Sequence, residues 1–203
     1  HPIWVVNFSP GSRSKGSLGE LCDSLSSPGF PAALVDAPPE SASPGIVLVG
    51  EMFPQLCEQV AALSRGGDRR ILVLALEEEV LESSTAWQLL QAGAADVLYW
   101  DGTPGLAQHI QRLFERWHKV ENLLHSSLVR NNLVGASSAW RNALRQVIEA
   151  GCFARSEPVL LYGETGTGKE LAARLIHTLD PLRGKSSLVT VDCTTIVEEL
   201  SGS

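Results

Sequence analysis

The sequence predicts an α/β protein with three parts: a flavodoxin-like doubly wound domain, a long linker helix, and the opening part of a P-loop α/β domain. Three observations carry this. Five short, continuously apolar segments alternate with helix-periodic stretches over the first hundred residues. Apolar residues then recur at four- and three-residue steps from Leu106 onward. Finally, the apolar run Val159-Leu160-Leu161-Tyr162 leads straight into a glycine-rich turn, a lysine and another helical pattern. The expected boundaries are 1–103, 104–131 and 132–203.

Composition narrows the classes. Of the 203 residues, 44% are hydrophobic and 19% charged. That is enough apolar material for a core, which excludes wholesale disorder. The longest aliphatic run, Ile71 to Leu76, is far short of the roughly 18 residues a membrane span needs. With no secretory leader evident, a cytoplasmic protein without a membrane role is expected. Residues 1–100 carry 5 Lys/Arg against 12 Asp/Glu, and residues 101–203 carry 11 of each, so the net charge of −7 sits in the first half. Two modules with different surfaces are implied, and no basic patch supports nucleic-acid binding by this segment itself. The four cysteines, Cys22, Cys57, Cys152 and Cys193, show no CxxC pairing and read as reduced thiols. His118 and His125 lack metal-pair spacing and read as surface residues. The sequence opens on His1 and its only Met is Met52, so a trimmed or processed start is expected.

In chain order, Ile3 to Val6 is a first strand ended by the turn Ser9-Pro10-Gly11-Ser12. Leu18 to Leu25 is a short helix, and Ala32 to Val35 a second strand. Pro38, Pro39 and Pro44 leave little room for a helix before the third strand, Ile46 to Val49. Pro54 suits a first helical turn, and Leu56, Val60, Ala61 and Leu63 follow at helical spacing. Ile71 to Leu76 is a fourth strand, Ser84 to Ala92 a helix ended by Gly93, and Val97 to Trp100 a fifth strand. Continuous apolar strands between helices imply a parallel sheet covered on both faces, with chemistry at the carboxyl ends of its strands. The run Glu77-Glu78-Glu79 reads as a solvated loop.

The middle begins at Thr103-Pro104, a capping residue followed by a first-turn proline. Leu106, Ile110, Leu113, Trp117, Val120, Leu124 and Leu128 then form a seam. Its first half should lie on the preceding sheet. From Trp117 onward it needs another partner: a parallel helix of a second chain is the preferred reading, giving a homodimer, and the downstream domain is the alternative.

The sharpest signal is Gly163-Glu164-Thr165-Gly166-Thr167-Gly168-Lys169, between an apolar strand and the helical pattern Leu171, Ala172, Leu175, Ile176. Strand, glycine-rich turn, lysine and helix in that order are the context of a P-loop. Glycines let backbone N–H groups converge on an anion, and the helix N-terminus adds its partial positive charge. Lys169 would reach the β- and γ-phosphates of ATP. Glu170 stands where Ser or Thr usually binds Mg²⁺.

That break is informative. Gly163 to Glu170, followed by Leu171-Ala172-Ala173-Arg174-Leu175-Ile176-His177, resembles the Walker A region of the AAA+ domain of bacterial enhancer-binding proteins, the sigma-54-dependent transcriptional activators. The resemblance extends upstream through Leu133-Val134-Gly135-Ala136-Ser137-Ser138 and downstream through Ser187-Leu188-Val189-Thr190-Val191-Asp192-Cys193. It implies that Leu133 and Val134 line an adenine pocket and that Ser187 to Cys193 is the second core strand. The first half resembles a response-regulator receiver domain in element order and in Gly93-Ala94-Ala95-Asp96-Val97-Leu98-Tyr99-Trp100. Each functional position departs from the receiver pattern: Asn7 and Phe8 replace the acidic pair, Gly50 the phosphoacceptor Asp, Ala75 the hydroxyl residue and Trp100 the lysine. A receiver that cannot be phosphorylated is therefore expected, with Glu51 a solvated neighbour.

The resemblance implies a parent protein that assembles into higher oligomers, hydrolyses ATP with Mg²⁺, remodels sigma-54 RNA polymerase and contacts enhancer DNA. Those last functions reside in parts beyond Ser203, so this segment should bind ATP without hydrolysing it and carry no catalytic residue of its own. His177 and Asp192 are expected in packing or capping roles. A competing reading is a non-catalytic sensor and dimerisation module controlled by a partner protein or by cyclic di-GMP. Leu128-Val129-Arg130-Asn131-Asn132 lies where such contacts occur in that family, although it departs from their motif. A small P-loop kinase is disfavoured by the long helix and by Glu170.

Overall fold

The structure is a computed structural model and describes residues 2–8, 15–81, 83–131, 133, 135, 137–154, 157–182 and 186–192. Five parallel strands, β1 (Ile3–Asn7), β2 (Ala32–Leu34), β3 (Gly45–Val49), β4 (Ile71–Ala75) and β5 (Asp96–Tyr99), form one sheet in the order β2-β1-β3-β4-β5. This is the flavodoxin-like order, with its switch point between β1 and β3. Each strand falls within a residue or two of the apolar run that predicts it. The predicted turn at Ser9–Ser12 lies outside the described residues.

Side chains alternate across the pleat, and both faces are dry. Ile3, Val5, Ile46, Leu48, Leu72 and Leu74 face one way, against α1 (Lys15–Leu25) and the first half of α4 (Pro104–Leu124). Trp4, Val6, Val47, Val49, Ile71 and Val73 face the other, against α2 (Leu56–Ser64) and α3 (Ser83–Gln91). Two-sided burial is why these strands read as continuous rather than alternating apolar runs. Each fully buried aliphatic side chain contributes on the order of 2 kcal/mol. Glu77, Glu78 and Glu79 are exposed at the start of a 3₁₀ turn, as a solvated loop should be.

Helix α4 starts as predicted. Thr103 Oγ1 accepts the Leu106 N–H at 3.3 Å, Pro104 follows it, and Asp101 accepts both the N–H and the hydroxyl of Thr103 at 2.8 Å. Ala107, Ile110, Phe114 and Trp117 are buried on the sheet, with Leu106 and Leu113 only partly covered beside them. Val120 and Leu124 then enter a separate core with Val129 of α5 (Ser127–Arg130), Leu133, Leu144, Ile148, Cys152 and Leu175. This part of the seam is packed by the downstream segment of the same chain, the alternative to a second-chain helix. Val120 is fully buried and Leu124 nearly so, while Leu128 at the end of the seam is 40% exposed.

That downstream segment contains α6 (Ser138–Phe153), which the sequence reading missed, and α7 (Lys169–Leu179). Ser137 caps α6 by accepting the Trp140 N–H at 3.1 Å. The helices approach closely at Gly151, where a Cβ would stand 2.9 Å from Leu179 Cβ and 3.1 Å from Ile176 Cα. The expected strands at Val159–Tyr162 and Ser187–Cys193 are not formed among the described residues; Cys193 lies outside them. A strand needs a neighbour to take its N–H and C=O groups, and neither segment has one among the described residues. Leu160 and Tyr162 are accordingly 86% and 91% exposed.

Loop 65–70, between α2 and β4, joins the two halves. Arg145 of α6 is 5% exposed. It donates to Gly67 O at 3.1 Å, Asp68 O at 3.0 Å, Asn142 Oδ1 at 2.9 Å and the Glu121 carboxylate of α4. Asn142 Nδ2 donates to Gly66 O at 3.1 Å, Arg141 Nε to Asp68 at 3.1 Å, and Arg70 pairs with Glu149 at 2.8 Å. Arg70 also lies over the Trp117 ring, 5.5 Å from its centroid.

Candidate functional site

The glycine-rich turn folds as its residues require. Gly166 (φ 85°) and Gly168 (φ 83°) occupy the left-handed region that a Cβ disfavours. Gly168 is the N-cap of α7 and, having no side chain, makes no cap bond to the first N–H groups of the helix. Such an end carries partial positive charge and suits an anion. Lys169 is the first helical residue. Its Nζ donates to Gly163 O at 2.9 Å and Glu164 O at 2.7 Å, and Thr167 Oγ1 donates to Glu164 O at 2.8 Å. The ammonium is thus folded into the loop, against carbonyls that a bound phosphate would displace or share.

A cavity of about 320 Å³ opens beside this loop. Gly163, Thr167, Gly168 and Lys169 line one part of it; Leu133, Trp140, Ala143, Leu144, Val147 and Leu161 supply apolar wall. Leu133, 36 positions from Lys169, lines the same cavity. Val134 lies outside the described residues. Glu164, Thr165 and Gly166 form the exposed bend of the loop without lining the cavity. Glu170 points along α7 to Arg174, with Oε1 accepting from Nη2 at 2.8 Å. Its carboxylate is engaged in an exposed i,i+4 pair with the Arg174 guanidinium. Among the described residues no group of three His, Cys, Asp or Glu could hold a metal ion. His177 Nε2 lies 3.0 Å from Ser186 O, and Asp180 accepts the Leu182 N–H at 3.0 Å, both structural contacts. Asp192 is exposed, and Arg130 ends α5 on the surface.

Trp140, Ala143, Leu144 and Val147 are cavity residues that sequence reasoning did not single out. Their signal was present: Ser137 three residues ahead of Trp140, then apolar residues at helical spacing from Leu144 to Cys152.

At the carboxyl ends of the sheet, the positions expected to have lost receiver chemistry sit together. Phe8 packs edge-on against Phe53 with centroids 6.5 Å apart, and both line a cleft of about 640 Å³ with Asn7 and Glu51. Gly50 and Ala75 are buried, and Trp100, whose N–H donates to Ala75 O at 2.8 Å, turns into the core. Glu51 is exposed. No helix among the described residues is long and apolar enough to cross a membrane.

Residues 133–203 match the family described as the Sigma-54 interaction domain. The chain is 35% identical over 139 residues to the DNA-binding transcriptional activator HyfR of Escherichia coli K12, covering 64% of this chain and 19% of HyfR. It is 41% identical over 120 residues to the response regulator protein PilR of Pseudomonas aeruginosa, covering 59% of this chain and 26% of PilR. Among solved structures, NtrX from Brucella abortus in complex with ATP matches 98% of this chain and 44% of its own, at 21% identity and a TM-score of 0.42. Residues 133–203 are thus similar to a sigma-54 interaction domain, and the curated relatives matched over about three fifths of the chain are named as a transcriptional activator and a response regulator. The chain spans about a fifth to a quarter of the length of these curated relatives.

Proposed function

We propose that this chain is the regulatory and ATP-binding portion of a cytoplasmic transcription activator of the sigma-54 class. The supporting observation is the joining, in one cavity, of an uncapped helix N-terminus and Lys169 with an apolar wall that includes Leu133. An anion-binding end beside an apolar recess suits a nucleoside triphosphate. In this reading Gly163 to Gly168 cradle the phosphates as a Walker A loop, Lys169 neutralises them, and Leu133 with Val134 meets the base. Mg²⁺ would arrive with the nucleotide. It would be held chiefly by phosphate oxygens and water. The chain's units are then a receiver-like domain over 1–103, a linker over 104–131 and the start of an AAA+ domain over 132–203.

In the same reading the receiver-like domain is not phosphorylated. An acyl phosphate needs an aspartate at the end of β3 and carboxylates for a metal, and the chain offers Gly50, Asn7 and Phe8 there. The whole protein would act as an ATPase in an oligomer, engaging sigma-54 RNA polymerase and enhancer DNA through further segments. Self-association through α4 would use its outward residues, such as Arg112 and Glu115, since its apolar seam is occupied within the chain.

Calorimetric titration of the chain with Mg²⁺–ATP tests the nucleotide reading. Saturable binding that is lost in Lys169→Ala supports it; equal heats in both proteins, or none in the wild type at millimolar ATP, overturn it. Incubation with acetyl phosphate tests the second part: intact mass spectrometry should show no phosphoryl adduct on residues 1–103, and a stable adduct there would overturn it.

A further inference from the structure

We propose that the receiver-like half docks an amphipathic helix with a basic polar face, supplied by a partner protein, in the groove where its own sheet carries no helix. A parallel sheet normally sends each crossover through a helix. Three of the four crossovers here do so: α1 follows β1, α2 follows β3 and α3 follows β4. The crossover from β2 to β3 is helix-free and carries Pro38, Pro39 and Pro44. On that face of the sheet α2 meets β4 and α3 meets β5, and among the described residues no helix is placed over β1 and β2. Trp4 closes the amino half of the gap. Its indole lies against Gly45, where a Cβ would stand 2.0 Å from Cε2; its Nε1 donates to Ser43 O at 3.0 Å, and the Arg69 guanidinium lies 5.5 Å from its ring centroid. The carboxyl half stays open. Phe8, Phe53 and Leu63 are only half-buried there and floor the cleft of about 640 Å³, with Gln59 and Ala62 of α2 along one flank.

The charge around the groove selects its occupant. From Val35 to Leu63 the chain carries four carboxylates, Asp36, Glu40, Glu51 and Glu58, and no Lys, Arg or His. All four residues are exposed, and Glu51 lines the cleft itself. An acidic helix would be repelled by this rim, and a helix without charge would leave it uncompensated. A helix with apolar residues at i, i+3, i+4 and i+7 and Lys or Arg on its flanks matches both the aromatic floor and the rim. Laid antiparallel to the strands, as α2 and α3 are, it brings its partly positive N-terminal end to Asp36 and Glu51. Its C-terminal end then points toward Arg65, which caps α2 at the opposite edge of the sheet. The receiver-like half of a second copy fits the rim poorly, because that half carries the same excess of carboxylates.

The test uses the whole 203-residue chain and two synthetic helical peptides of about 18 residues, long enough to hold a helix. Both carry the same leucine face; one has lysine and the other glutamate at its polar positions. Fluorescence anisotropy should show saturable binding of the lysine peptide, about tenfold or more tighter than the glutamate peptide, with hydrogen-exchange protection centred on residues 35–63. Glu51→Lys should weaken the lysine peptide severalfold. Ala62→Trp, on the exposed side of α2, fills the groove at unchanged charge and should weaken it about tenfold or more, with circular dichroism confirming the native fold. Equal binding by wild type and Ala62→Trp, or protection spread over Glu77 to Glu79, overturns the inference, since the attraction is then general charge rather than the groove. So does a preference for the glutamate peptide, or no binding of either at about millimolar peptide. Sedimentation of the chain alone covers the other occupant: a dimer that Ala62→Trp disperses assigns the groove to a second copy and overturns the partner helix.

Discussion

The junction between the two halves makes Arg145→Ala the most demanding perturbation of this fold. The guanidinium is almost wholly buried and spends its donors on two carbonyls of loop 65–70, on Asn142 and on the Glu121 carboxylate. Alanine would leave all four acceptors facing a space that water enters with difficulty. Breaking a buried ion pair from one side typically costs about 3–5 kcal/mol; Glu121 keeps 25% of its side-chain exposure, which places this site near the low end, at roughly 3 kcal/mol. At about 2–4 °C per kcal/mol for a chain of this length, the melting temperature should fall by roughly 6–12 °C. The assay is urea and thermal unfolding followed by circular dichroism, with hydrogen exchange across 65–70 and 138–153. Because the contact joins two cores, the variant should also separate one unfolding transition into two. Glu121→Gln added to Arg145→Ala should recover part of the loss, since much of the cost is the stranded carboxylate. A loss below about 1 kcal/mol, with exchange unchanged in both segments, would refute the reasoning that the halves are locked through this side chain.

Three further outcomes follow from the same geometry. Gly67 has φ +89° and a Cβ there would meet Asn142 Nδ2 at 2.4 Å, so Gly67→Ala should cost about 2 kcal/mol in the same transition; an unchanged urea midpoint would count against the clamp. Hydrogen bonds from the Thr103 backbone and hydroxyl hold the Asp101 carboxyl below its ordinary value of 3.8. A depressed carboxyl stabilises when ionised, so its contribution is full above about pH 4 and is lost as pH falls through the folded value. Asp101→Asn should flatten stability against pH below 4 and leave the slope from 5 to 8 unchanged. Burial raises the thiols of Cys22 and Cys152, so iodoacetamide at pH 7.5 should label both only after unfolding; rapid labelling in the native chain would contradict their place in the cores.

The flavodoxin-like half was legible because its signals are local and mutually consistent. Each strand is a continuous apolar run, the turns carry Gly or Pro, and Thr103-Pro104 marks the start of α4 with a cap that the structure reproduces. The loop ahead of Lys169 was legible for a similar reason, since Gly166 and Gly168 stand where the backbone needs positive φ. What the sequence could not supply is which surfaces meet. The seam from Trp117 to Leu124 is equally compatible with a second helix or with α6, because periodicity reports that a face is apolar and not what covers it. Arg145, in a stretch read only as a domain opening, gave no sign that it would be buried; its partners Gly67, Asp68 and Glu121 are 24 to 78 positions away.

The two missing strands show the same limit from the other side. Val159-Leu160-Leu161-Tyr162 has the β-branched and apolar composition of a buried strand, as do the five that form. Yet β1 to β5 are strands because each lies beside another and exchanges N–H and C=O bonds along its length. Val159 to Tyr162 has no such neighbour among the described residues, and composition alone does not hold a backbone extended. The glycine-rich turn leads directly into α7: Gly168 is its N-cap, and α7 meets α6 through Leu175 and the close approach at Gly151. Replacing Gly151 with Val should push α7 away from α6, weakening tripolyphosphate binding as Lys169→Ala does while leaving the sheet of residues 3–99 intact. Tripolyphosphate binding unchanged in Gly151→Val would show that the loop is shaped by its own residues rather than by the helix pair.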